Sequence, residues 1–237
     1  YDQFTAEIFD QAGVNVLLVG DSAAENHLGH ESVLAITVEE IIPIGRAVAG
    51  AAKNALVVVD MPFGSYEASK GDAVRNAVKI MKQTGAEAIK LEGGRRSAEQ
   101  ISAIVEAGIP VMGHIGFTPQ SVHALGGFKV QGRGDSAEEV MAEALAVQEA
   151  GAFAVVLELV PSELAAKITQ TLAIPTIGIG AGAATDGQIL VWTDFAGLSG
   201  GNQSERHGQR AQDTAGRLSA TGRHALYEHG GDRAAGR

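Results

Sequence analysis

Short apolar runs alternate along the chain with longer stretches in which apolar residues return every three or four positions. The short runs lie at residues 14–19, 55–59, 88–91, 109–115, 153–157 and 175–179, with a seventh at 188–192. Runs of this length, apolar throughout, predict strands buried on both faces. Between them, residues 38–52, 73–84, 97–107, 136–150 and 161–172 carry helical spacing, and residues 4–13 form a further helical pattern ahead of the first run. Punctuation agrees with these bounds. Gly85, Gly108 and Gly151 stand where helices should stop, and Ser97 where one should start. Ser136 with Glu139 predicts a capping box, and Pro161 opens the last helix. Residues 118–135, with four glycines, read as a long loop.

Strands alternating with helices imply right-handed crossovers and a parallel sheet. No strand opens into a Gly-x-Gly-x-x-Gly turn, so a closed barrel is expected over a dinucleotide-binding fold. The expected architecture is α/β, a (β/α)8 TIM-type barrel occupying residues 1–202 and lacking its first strand, because the sequence starts at Tyr1-Asp2 and passes directly into a helical pattern. Residues 203–237 hold six of the eleven arginines and little apolar periodicity. Such a segment buries too little surface to offset its ordering entropy, so it is expected to be disordered.

Composition narrows the function classes. Of 237 residues, 45% are hydrophobic, enough for one domain with a substantial core. The absence of cysteine excludes disulfides and thiolate chemistry. No apolar run approaches the roughly 20 residues of a membrane span, and no signal-peptide pattern opens the sequence. A net charge of −10 argues against a nucleic-acid partner. A cytoplasmic enzyme acting on small molecules is the expectation.

In a parallel barrel the chemistry gathers at the C-terminal ends of the strands. Asp21, Ser22, Asp60, Lys90, Glu92, His114 and Glu158 all stand there, from five strands. Each has a plainer reading. Asp21 or Asp60 could cap the following helix, Lys90 and Glu92 could be a solvated pair, and His114 could be a satisfied core histidine. Glu158 is harder to set aside, since a charge inside Val-Val-Leu-Glu-Leu-Val needs a partner or a change of protonation. Together, the carboxylates of Asp21, Asp60 and Glu92 form a hard, oxygen-rich set suited to Mg²⁺. A 2-oxo acid could chelate such a cation, which would act as a Lewis acid on the keto oxygen. Lys90 would neutralise the substrate carboxylate, and Glu158 would remove a proton beside the carbonyl.

The motifs carry a resemblance. They are Val-Gly-Asp-Ser at 19–22, Asp-Met-Pro-Phe-Gly-Ser-Tyr at 60–66, Ile-Lys-Leu-Glu-Gly-Gly at 89–94 and Gly-His-Ile-Gly-Phe-Thr-Pro-Gln-Ser at 113–121. Gly-Gly-Phe-Lys-Val-Gln-Gly-Arg-Gly at 126–134 and Gly-Ile-Gly-Ala-Gly at 178–182 follow in order. The sequence resembles the ketopantoate hydroxymethyltransferase family, of the phosphoenolpyruvate mutase and isocitrate lyase superfamily. The resemblance implies hydroxymethyl transfer from 5,10-methylenetetrahydrofolate to 3-methyl-2-oxobutanoate through a magnesium enolate, giving 2-dehydropantoate for pantothenate biosynthesis. It implies Asp21 and Asp60 as metal ligands with Glu92 in or beside the metal shell. Asp21, Ser22, Asp60 and Lys90 then form the substrate site, Glu158 is the base, and His114 is a further active-site residue of open role. A homo-oligomer, decameric in the family, is also implied. The sequence departs from the family at Ala23-Ala24-Glu25-Asn26-His27, which is more polar than the family pattern, and beyond Gly201, where the family's Lys-Phe motif and last helices are not recognisable. A frameshift near Gly201 would give such a tail. Two alternatives follow: an inactive remnant of this enzyme, or a related Mg²⁺-dependent carbon–carbon lyase or phosphonomutase.

Overall fold

A computed structural model describes residues 1–198 of the chain. The expectations for residues 203–237 lie outside the described residues. Seven parallel strands, β1 (Val16–Val19), β2 (Leu56–Asp60), β3 (Ala88–Glu92), β4 (Val111–Gly116), β5 (Ala154–Glu158), β6 (Thr176–Ile179) and β7 (Gly187–Gln188), form one sheet in chain order. The sheet curls into a half-barrel. Among the described residues β1 and β7 do not pair, so the ring is open between them. The last strand is shorter than expected. Only Gly187–Gln188 pairs with β6, and Trp192 begins a short helix instead.

The helices are α1 (Gln3–Gln11), α2 (Ala23–Asn26), α3 (Val38–Ala51), α4 (Lys70–Thr84), α5 (Ala98–Glu106), α6 (Val122–Leu125), α7 (Ala137–Glu149), α8 (Ser162–Thr171) and α9 (Trp192–Phe195). The loop expected at 118–135 contains α6. Gly85 closes α4 in the left-handed conformation, as its position predicts. Two serine caps form differently. The Ser97 hydroxyl donates to the Glu92 carbonyl, and that of Ser136 to the Arg133 carbonyl; neither caps its helix by its side chain. In both cases a tight 3-10 turn precedes the α-helix and takes the serine into helical backbone torsions or close to them. A full capping box does form at Thr37 and Glu40, at the start of α3.

Strand parity explains the rest. Successive side chains alternate between the faces of a sheet. Val57, Val59, Ile89, Leu91, Val111, Ile115, Val155 and Leu157 face outward and pack with Ile41, Ile80, Ile104, Val147 and Ile168 of the helices in the main core. Val58, Ala88, Met112, Ala154, Val156 and Ile177 face inward and form a second, smaller core inside the curl. Carried to the C-terminal ends, the inward parity falls on Asp60, Lys90, Glu92, His114 and Glu158. The fold therefore delivers these five side chains to one end of one interior.

Candidate active site

Hydrogen-bonded register brings the chemistry together pairwise. Asp60 lies beside Lys90, and Glu92 beside His114. The Lys90 ammonium meets Asp60 Oδ1 at 2.6 Å. Lys90 Nζ also lies 3.3 Å from His114 Nδ1. His114 Nδ1 is 3.5 Å from Glu92 Oε1, and Nε2 is 3.2 Å from Glu158 Oε2. The other oxygen of Asp60 accepts the main-chain N–H of Asp21 at 3.0 Å, which ties the end of β1 to the end of β2. All six residues of this chain of contacts are buried.

The plainer readings of the strand-end residues can now be weighed. Asp60 caps no helix: α4 begins ten residues on and is capped by Ser69. The Asp21 carboxylate accepts from Gln120, and the helix that follows it has no side-chain cap at Ser22. Lys90 and Glu92 are not a solvated pair. Both are buried, and the lysine pairs with Asp60 on the neighbouring strand. Ser22 is half-buried, with its hydroxyl 2.8 Å from that of Tyr1. These residues line a cavity of about 470 Å³ that reaches from the strand ends into the apolar interior beside β1.

Glu158 is positioned by backbone geometry. The next residue, Leu159, has φ 50°, a left-handed conformation that a bulky side chain adopts at a cost of order 1–3 kcal/mol. On the neighbouring strand, Gly116 has φ 88°, and a Cβ there would lie 2.3 Å from the Glu158 carbonyl oxygen. The end of β5 turns through this contact, and only glycine fits opposite it.

The electrostatics are one-sided. Asp21, Asp60, Glu92 and Glu158 oppose only Lys90 and His114 within this buried group. Burial, then the neighbouring charges of Asp60 and Glu92, push the Asp21 carboxyl well above the usual range. Burial works against the Lys90 ammonium, but Asp60, Glu92 and Asp21 outweigh it and hold its pKa above the ordinary value. Burial and Lys90 likewise oppose charge on His114, yet bonds to Glu158 and Glu92 raise it to about 9. Burial would raise Glu92, but His114 and Lys90 hold it below the usual range.

A divalent cation suits this imbalance. Among the described residues no three His, Cys, Asp or Glu side chains gather as a protein-made cage. Mg²⁺ needs none, because it is commonly held by one or two carboxylates and completed by water and substrate oxygens. Asp21 and Asp60, linked to each other and lining the cavity, fit that pattern. Glu92 stands beside them, with Oε2 taken by the main chain of Gln120 and Oε1 buried beside His114 Nδ1.

Two residues of the site have no strand-end signature. Gln120 and Tyr66 are buried between Asp21 and Glu92 and bonded to both strand ends. They come from loops, where only the motifs around them mark them out.

Comparison with known proteins fixes the family. The model of the family described as Ketopantoate hydroxymethyltransferase matches residues 1–225. The chain belongs to the ketopantoate hydroxymethyltransferase family. It is an enzyme of the transferase class. The 3-methyl-2-oxobutanoate hydroxymethyltransferase of Leifsonia xyli subsp. xyli is 64% identical over 201 residues, covering 85% of this chain and 73% of the relative. That of Mycobacterium ulcerans is 56% identical over 236 residues, covering 100% of this chain and 78% of the relative. The family match thus runs past residue 203, into the segment whose sequence was expected to depart from the family. Among solved structures, phosphoenolpyruvate phosphomutase from Streptomyces platensis subsp. rosaceus is similar at a TM-score of 0.57 and 16% identity, covering 94% of this chain and 81% of its own. Phosphonopyruvate hydrolase, solved in complex with oxalate and Mg++, is similar at a TM-score of 0.56 and 15% identity, covering 93% and 80%. These likenesses show that the chain shares the fold of those two proteins. In the described residues no helix is long and apolar enough to cross a membrane.

Proposed function

We propose that the chain transfers a hydroxymethyl group from 5,10-methylenetetrahydrofolate to 3-methyl-2-oxobutanoate, giving 2-dehydropantoate. The observation that carries this is Glu158. It is a buried acid on the interior face, paired with His114 and lining the same cavity as Asp21, Asp60 and Lys90. The reaction needs these groups in one cavity: a base for a carbon-bound proton, and a place for the keto and carboxylate oxygens of a 2-oxo acid.

Asp21 and Asp60 would hold Mg²⁺, with Glu92 alongside, and the cation when bound supplies Lewis acidity to the keto oxygen. Lys90 lies close enough to share its charge between Asp60 and the substrate carboxylate. Ser22 Oγ is available at the same strand end for a further hydrogen bond. Glu158 takes the proton from C3 of the oxo acid, and the electron pair of that C–H bond passes towards the keto oxygen. His114 Nε2 fixes the position of Glu158 Oε2. C3 then bonds to the one-carbon unit, both C–N bonds of the donor break with water supplying the hydroxyl oxygen, and the C3 proton held by Glu158 and one proton of that water pass to the two donor nitrogens as tetrahydrofolate leaves. A cytoplasmic location and homo-oligomeric assembly belong to the same reading.

A related carbon–carbon lyase or phosphonomutase is less well supported. Identity to the phosphonomutase-type structures is 15–16%, against 56–64% to the hydroxymethyltransferases of Mycobacterium ulcerans and Leifsonia xyli. The test is proton NMR of 3-methyl-2-oxobutanoate in deuterated water with Mg²⁺ and no folate. The unmutated chain should exchange the C3 proton, whereas an inactive remnant would not. Glu158→Gln should still bind the oxo acid but exchange at least about 100-fold more slowly. Unchanged exchange in a folded Glu158→Gln protein would remove Glu158 from the role of base.

A further inference from the structure

Gln120 ties several parts of the site together, although it comes from the loop after β4. It is 5% exposed. Its side-chain amide donates to Asp21 Oδ2 at 2.9 Å and to the Met61 carbonyl at 3.0 Å. The amide oxygen accepts the Tyr66 hydroxyl at 2.6 Å, and the main-chain N–H donates to Glu92 Oε2 at 3.0 Å. Both side-chain N–H groups and the oxygen are therefore in use, and one residue spans the ends of β1 and β3.

The sense of the amide is fixed by chemistry. Turned over while Asp21 is ionised, as a cation ligand is, its oxygen would face Asp21 Oδ2 and the Met61 carbonyl, three acceptors with no proton among them. Tyr66 enforces the observed sense. Its oxygen accepts the main-chain N–H of Glu92 at 3.2 Å, and its proton has Gln120 Oε1 at 2.6 Å as the nearer acceptor, against 3.3 Å to the Glu92 carbonyl. The tyrosine ring is 2% exposed and has no room to swing away.

We propose that Gln120 is a positioning residue: its amide holds one oxygen of Asp21 so that the carboxylate presents its other oxygen to the cavity, and Tyr66 sets the direction in which the amide points. This rests on the reading of Asp21 as a cation ligand. The Glu92 contact uses the main chain, so side-chain variants at 120 leave it in place. A core amide that is merely satisfied would contribute to stability and nothing else.

Gln120→Met keeps the length of the side chain and removes its hydrogen bonds. Tyr66→Phe removes only the hydroxyl and is the variant to use if Gln120→Met does not fold. The measurements are thermal midpoint, Mn²⁺ affinity by electron paramagnetic resonance, and C3 proton exchange resolved into kcat and KM. Gln120→Met should bind Mn²⁺ about 10-fold or more weakly and exchange about 10- to 100-fold more slowly, the scale of a lost hydrogen bond to a charged group. Tyr66→Phe should move both in the same direction by less. In the double variant the two losses should fall short of multiplying, because Tyr66 acts on Asp21 through the amide. The proposal is overturned if Gln120→Met lowers the thermal midpoint while Mn²⁺ affinity, kcat and KM stay unchanged, or if the two losses multiply. An unmutated chain that exchanges no proton would sink the hydroxymethyl-transfer reading instead, and the Mn²⁺ affinities of the same proteins would still decide the role of Gln120.

Discussion

A methionine in place of Lys90 keeps most of the side chain's length and removes its charge. If the ammonium serves the substrate carboxylate, Lys90→Met should weaken calorimetric binding of 3-methyl-2-oxobutanoate by roughly 2–4 kcal/mol, as for a broken desolvated charge pair. Normal binding with lowered stability would show that Lys90 serves Asp60 alone. These residue-scale roles were only partly legible in the sequence. Asp60, Lys90, Glu92, His114 and Glu158 announce themselves because each is polar in an apolar run, and parity sends them to one face. Who pairs with whom was not legible, because Lys90 bonds across the ladder to Asp60 and not along its own strand to Glu92. Gln120 and Tyr66 lay inside the quoted motifs but carried no signal of a role of their own, since a polar residue in a loop is the ordinary case and says nothing of its burial.

At the scale of elements, the apolar runs predicted six of the seven strands closely, because strands buried on both sides leave an uninterrupted signature. Caps were read less well. A serine before a helix can spend its hydroxyl on a nearby carbonyl, as Ser97 and Ser136 do, and local sequence does not separate the two uses. The cap that does form gives a prediction: Thr37→Ala should cost about 1 kcal/mol in denaturant unfolding while leaving proton exchange unchanged. A tighter constraint sits between β4 and α7. A Cβ on Gly113 would come within 2.4 Å of Val147 Cγ1. Gly113→Ala should therefore lower stability by about 1–3 kcal/mol, the cost of overpacking, and pairing it with Val147→Ala should restore part of that loss. Absence of any recovery in the double variant would place the strain elsewhere.

The whole molecule carries a buried excess of acids at one end of the curled sheet, and that excess should register in global stability. Mg²⁺ with 3-methyl-2-oxobutanoate should raise the thermal midpoint of the unmutated chain as ligand concentration rises, since only the folded state offers the site. Asp60→Asn keeps the shape and removes one negative charge, so its midpoint should respond little to the pair. An equal rise in both proteins would show that binding does not use Asp60.

Parity along the strands also sets which lesions the gene can tolerate. Every side chain assigned to the chemistry within a strand occupies an even-numbered position, and the residues between them pack against helices. Loss of a single residue from the start of β3 would turn Lys90 and Glu92 towards α4 and α5 and bring Ile89 and Leu91 into the cavity, leaving composition almost unchanged. The same loss in the stretch between α2 and α3 would shorten a connection and leave the pleat in step. Single-codon deletions should therefore divide sharply by location, with the strands intolerant along their whole length and the loops between them forgiving.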